Sequence, residues 1–318
     1  MGPFQGLSDS QAVWFCNKNR GTVHHSAAFR ALALVMCLLG DVSLVFADPI
    51  NLKRETAAAF DRYIAATEAQ MNADAGLRQF LIVDRLPDAQ RREQYDQIQR
   101  GEIYIQELHT RQDGHSIPMP SGRIHHWAGV IFIPKATISD VLGVLNDYGN
   151  QANIYKPNVR QSRLIERSGD DAKLFEQFYS KTIVTVVLDV YFDVTQSRID
   201  STRVQSVSRS TRIVEVQNPE DSAEQEQNGG RDHGYMWRLN SYWRIEEKDG
   251  GVYVQNESIS LSRTVPVLLA WLIEPLTKSI PRDVLTRTLT RTRDTVEANL
   301  EKSKKADPSK EPSSGREP

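Results

Sequence analysis

Cysteine is almost absent from this 318-residue chain: Cys16 and Cys37 are the only two, and both precede Asp48. Read from Asp48 onward, the chain can form no disulfide and offers no thiolate as nucleophile or metal ligand. A basic block is lacking as well. The formal net charge is −2, with Lys and Arg scattered among Asp and Glu, so there is no electrostatic footprint for nucleic acid. A Gly-rich phosphate loop, a GxSxG elbow, an HExxH helix and cysteine-based zinc spacing are all missing. Catalytic residues therefore remain unassigned, and neither metal nor cofactor is expected.

Long apolar runs are scarce too. One follows Arg30, ALALVMCLLGDVSLVFA, ending in Val45, Phe46 and Ala47. Gly40 and Asp41 interrupt it, leaving it short of the ~20 apolar residues of a spanning helix. The basic residue in front and the small-residue end predict a secretory signal peptide over residues 1–47, cleaved near Ala47, and hence a periplasmic or extracellular protein. The stretch before Arg30 is long for such a signal, which places the true translation start downstream of Met1. Loss of three basic residues (Lys18, Arg20, Arg30) and two acidic ones (Asp9, Asp41) makes the exported chain mildly acidic, so charge alone would not hold it to anionic lipid.

What remains is rich in ordinary core material, 39% hydrophobic residues overall, enough for one large domain with an appendage. Residues 48–100 read as a helical N-terminal extension. LKRETAAAFDRYIAATEAQMN places Phe60, Tyr63, Ile64 and Thr67 at helical spacing, and a second helix or loop follows through FLIVDRLP and DAQRREQYDQIQRG. From Glu102 the character changes. EIYIQEL, WAGVIFI, KLFEQFY, TIVTVVLDVYFDV, TRIVEVQ, YMWRLNSYWRIEE and GVYVQNESISLS are rich in Val, Ile, Tyr, Trp and Thr between Gly, Asp and Asn turns, and predict an antiparallel sheet.

Helices punctuate that sheet. ATISDVLGVLNDYGNQANIYKP predicts one capped by Thr137 or Ser139 and ended before Pro157. The chain then closes with VPVLLAWLIEPLTKSIP and RDVLTRTLTRTRDTVEANLEK, in which Pro275 should break or bend the helix. Pro281 should start a segment with a core stripe of Val284, Leu285, Leu289, Val296 and Leu300. The polar tail 302–318 reads as disordered.

Strand, helical excursion, further strands and a long amphipathic helix together describe a curved sheet whose concave face that helix must cover. The stretches HHWAGVIFIPKATISDVLGVLNDYGNQANIYKPNV, RSTRIVEV and GYMWRLNSYWRIEEKDGGVYVQNESISLSRTVP, with the final helix, resemble the START-like superfamily, also called SRPBCC. The resemblance spans roughly residues 101–301 and implies an α+β helix-grip fold with a cavity between sheet and C-terminal helix. Such proteins bind lipids, sterols or polyketides, and some catalyse cyclisation or dehydration. The implied partner is a hydrophobic small molecule or lipid, with membrane contact for ligand exchange compatible with that role; no protein partner is specified.

Strand alternation nominates the lining. In YMWRLNSYWRIEE, Tyr235, Trp237 and Trp243 share a face. In RIHHWAGVIFIP, His125 and His126 point oppositely, so they cannot share a metal on a regular strand, and His125 with Trp127 is the pair expected inside. Tyr148, Tyr155, Glu257 and Trp271 complete the cavity candidates, against the alternative that the aromatics form solid core. Arg209, Arg212, Arg238 and Arg244 are expected in cross-strand ion pairs with Glu215, Glu246 and Glu257. The alternative is a cyclase, dehydratase or hydrolase using the same cavity, with Glu257 and His125 or His126 for acid–base work. A third possibility is an interaction module docking through the N-terminal helices.

Overall fold

The computed structural model describes residues 52–76, 79–181, 185–217, 225–226, 233–264 and 267–306, with the backbone alone at 76, 217, 225–226 and 267–278. The expected signal peptide over 1–47, Val184, the side chain of Trp271 and the tail from residue 307 lie outside the described residues.

Helices α1 (Arg54–Gly76) and α2 (Asp88–Gln99) flank a 3-10 turn at Ile82–Arg85. The strands are β1 (Tyr104–Glu107), β2 (Arg111–Gln112), β3 (His115–Ser116), β4 (Gly122–Pro134), β5 (Val159–Ser168), β6 (Asp171–Lys181), β7 (Thr185–Arg198), β8 (Arg203–Gln217), β9 (Gln225–Glu226), β10 (Arg238–Lys248) and β11 (Gly251–Arg263). Between β4 and β5 lie α3 (Ile138–Leu145) and the single turn α4 (Gln151–Ile154); α5 (Val267–Ala306) ends the described chain.

The main sheet is antiparallel in the order β1-β4-β11-β10-β8-β7-β6-β5, with β9 paired to β8. Local chemistry sets its turns. Asp249 (φ 57°) and Gly250 (φ 74°) join β10 to β11 in the two-residue turn for which Asp-Gly is suited. At α3, Thr137 accepts from the Asp140 amide while the Asp140 carboxylate accepts from the Thr137 amide, so Thr137 rather than Ser139 is the cap.

Each face of the sheet has its own cover. On the concave side, Ile131, Ile133, Val252 and Val254 meet α3 and the Leu285, Leu289 and Val296 stripe of α5. On the convex side, Ala128, Val130, Phe132 and Tyr253 pack with Phe80–Val83 and Ile98, and Tyr242, Ile259 and Leu261 pack with Phe60, Tyr63 and Met71 of α1. The N-terminal helical segment is thus a third layer behind the sheet.

Three expectations change. Helix α5 runs unbroken from Val267 to Ala306 through both Pro275 and Pro281, and so also covers the start of the tail expected from 302. Proline removes one backbone donor, but packing of Leu285, Leu289 and Val296 in the core holds the helical path beyond Pro281. Strand β5 (VRQSRLIERS) was not expected; it is a sheet edge, mostly exposed, and lacks apolar alternation. Finally, two of the four arginines find hydrogen-bond partners in the N-terminal segment: Arg209 pairs with Glu68 at 2.6 Å, and Arg244, whose charge also acts on Glu257, donates to the Phe80 carbonyl at 2.8 Å; Arg238 donates to the Trp237 carbonyl and Arg212 lies over the Tyr191 ring.

Close approach of α5 to β4 depends on Gly129. A Cβ there would lie 2.6 Å from Leu289 Cδ1, and Leu289 is fully buried. Gly129→Ala should lower unfolding free energy by about 1–3 kcal/mol through overpacking, measured by urea denaturation. An unchanged midpoint would show that the helix can lift without cost.

Candidate functional site

A cavity of about 310 Å³ lies between the concave face and α5, a volume within the range of small-molecule sites. Its floor is made of short side chains. Ser241 stands opposite Ser208 on β8 and Ser258 on β11, and Trp243 opposite Ser206 and Asn256. Serine and asparagine at these positions cannot reach the helix, so space remains where bulkier residues would have made solid core. Apolar side chains form the walls: Trp127 and Trp243 on one side, and Phe178, Leu188, Phe192 and Val194 on the other. Ile280, Pro281, Val284 and Leu285 of α5 cover it.

Five of the nine nominated residues, His125, Trp127, Tyr148, Tyr155 and Trp243, come together around this space. His125 Nε2 lies 3.0 Å from Ser262 Oγ. Burial, helped by the Arg123 charge, lowers its pKa to about 4, so it is neutral at physiological pH. Tyr155 is buried at the end of the cavity with its hydroxyl 3.2 Å from Thr292 Oγ1, and burial raises its pKa.

Tyr235, Trp237 and Glu257 are not among the lining residues. Strand β10 begins only at Arg238, so the alternation that would have turned Tyr235 and Trp237 inward does not extend to them. Trp237 packs on the convex side with α1, and Tyr235 stacks on His233. Glu257 faces the convex side because it alternates with Asn256 and Ser258, which hold the concave face.

There Glu257 anchors a buried polar network under the helical layer. Its Oε1 accepts from His126 Nε2 at 2.7 Å and its Oε2 from Gln255 Nε2 at 3.2 Å; Gln255 in turn accepts from the Ile82 amide. The Tyr63 hydroxyl lies 2.9 Å from His126 Nδ1 and accepts from the Thr110 amide. Burial pushes the Glu257 pKa up, but the His126 hydrogen bond and the charges of Arg244 and Arg85 outweigh it, holding the carboxylate below its usual range. His126 and Glu257 therefore tie the sheet to α1 and are closed off from the cavity. His125 and His126 do point oppositely. A Glu257–histidine acid–base pair inside the cavity is removed by this geometry.

Sequence reasoning missed Glu176. It sits on β6 between Leu174 and Phe178 on the cavity face, opposite Val190. Burial alone pushes its carboxyl up to about 7. In KLFEQFY both alternating sets mix apolar and polar residues, so the pattern could not say which face was inner. A second signal was legible: the alternating Asn256, Ser258 and Ser260 of QNESISLS mark the cavity floor.

Among the described residues no cluster of three or more His, Cys, Asp or Glu could hold a metal ion, and no helix is long and apolar enough to cross a membrane. No family model and no curated protein matches the sequence. Among solved structures, similarity is found to a STAR-related lipid transfer protein fragment from Xanthomonas axonopodis (15% identity, 57% of this chain and 96% of that one, TM-score 0.40). Others are human StAR-related lipid transfer protein 5 (12%, 72% and 99%, 0.39) and the Zhui aromatase/cyclase from Streptomyces sp. R1128 (11%, 56% and 94%, 0.35). These likenesses are too distant to add to the reading of function, and the fold rests on this chain's own strand order and covering helix. On that ground the chain has an α+β helix-grip fold.

Proposed function

We propose that the chain is a binding protein that holds one hydrophobic small molecule or lipid in the cavity, with α5 as its cover. The observation that carries this reading is an apolar-walled space kept open by short side chains on three adjacent strands. Packing density in a protein interior is ordinarily high, and a void of this size left without an occupant would forfeit contacts on every wall.

Ser258→Phe should fill the space from the floor. Bound apolar ligand, released from the purified protein and measured by mass spectrometry, should fall about tenfold or more while the melting temperature stays within a few degrees. Equal ligand content in both proteins would sink the reading. Export forms part of the proposal, supported by the basic residue Arg30, the apolar run that follows it and its small-residue end at Ala47. A mature N-terminus at Asp48 supports it, and a mature chain that keeps residues 31–47 rules it out.

A further inference from the structure

We propose that the ligand carries a basic amine, and that the Glu176 carboxylate is the group that receives it. This rests on the binding reading above and specifies its chemistry. Four observations converge on it. Glu176 lines the cavity and has no hydrogen-bond or ion-pair partner among the described residues, unlike Glu257, which is fully partnered on the opposite face. Its neighbours along the strand, Leu174 and Phe178, and Val190 opposite on β7 are apolar, and Ser162 opposite on β5 has its hydroxyl engaged by the Ala152 amide. A carboxyl group so placed is half-buried, and its partial withdrawal from water is offset by no protein cation beside it.

No lysine or arginine is among the described lining residues, and His125 is neutral. A carboxylate or phosphate head group would meet no cation on the lining itself, the Arg167 charge reaching only as far as Tyr148, and would be repelled by Glu176 once ionised. Anionic lipids and fatty acids are therefore disfavoured. Hydroxyl ligands would find neutral partners all along the serine floor, so they give Glu176 no special task.

An ammonium group would. Paired with the carboxylate in a site shielded from water, it forms a charge-assisted hydrogen bond, and the electrons of nearby rings add to the attraction. Tyr148 and Tyr155 both feel the Glu176 charge, and Phe178 follows it on the same strand face. The rest of the ligand would lie along Leu188, Phe192 and Trp243.

The test is calorimetric titration of the full chain with octylamine, octanol and octanoate at about pH 8, where Glu176 is ionised. Octylamine should bind about tenfold or more tightly than octanol, and octanoate more weakly than either. In Glu176→Gln the preference for the amine should disappear while octanol still binds; Glu176→Ala serves as a second variant, and circular dichroism confirms that both are folded. Octanol or octanoate binding as tightly as the amine, or a preference that survives in both variants, overturns the amine assignment and leaves the binding reading standing. If none of the three binds to the unmodified protein, both fall.

Discussion

Glu257→Ala is expected to cost about 3–5 kcal/mol of unfolding free energy, the range for breaking a buried, hydrogen-bonded charge pair. The carboxylate lies almost wholly out of solvent and receives hydrogen bonds from His126 and Gln255, with Arg244 close enough to act on it electrostatically. Its removal leaves His126, Gln255 and Arg244 facing an apolar gap under α1. Glu257→Gln should cost less, because an amide oxygen can still accept from His126. The sign of the pH dependence follows from the lowered pKa. Above the ordinary glutamate range the stabilisation is complete, and it is lost as pH falls through the folded-state value. Urea denaturation of the variants at neutral pH decides the matter: a loss below about 1 kcal/mol for Glu257→Ala would mean that the network relaxes or hydrates.

Glu176→Gln should move stability the other way. A carboxyl with a folded pKa of about 7 is protonated in the native state where the unfolded chain is already ionised, so stability falls as pH rises from about 4.5 through 7. The cost, reached above that window, has an upper bound of about 3 kcal/mol, reduced by the solvent that reaches this half-buried group. The glutamine variant escapes it. At about pH 8 the ligand-free variant should therefore melt several degrees higher than the unmodified protein, whereas at about pH 4 the two should coincide. Equal melting at both pH values would show that solvent reaches the carboxyl. Stability and ligand recognition are then opposed at one residue, a common condition of functional sites.

Most of the strands and their succession along the chain were legible in the sequence because they depend on local, repeated patterns: β-branched runs, turn residues between them, a helical stripe at Leu285, Leu289 and Val296. The opposite facing of His125 and His126 followed from strand geometry alone. What could not be read was anything decided by a neighbouring layer. Strand β5 hides its character because most of it packs on nothing. Trp237 and Glu257 were assigned inward because aromatic and acidic residues look the same from sequence whether α1 or α5 covers them. Glu176 escaped notice because a lone glutamate in a mixed strand becomes unusual only once its apolar surroundings are known.

The helical layer behind β4, β11 and β10 bears on how a molecule could get in. Those central strands are clamped front and back, their ladder bonded on both edges, with the buried Glu257 network fastening them to α1. They can neither flatten nor part to admit a guest. Under the binding proposal, entry falls to the other side, where α3, α4 and α5 approach the β5–β6 edge, with the back of the molecule as a fixed wall.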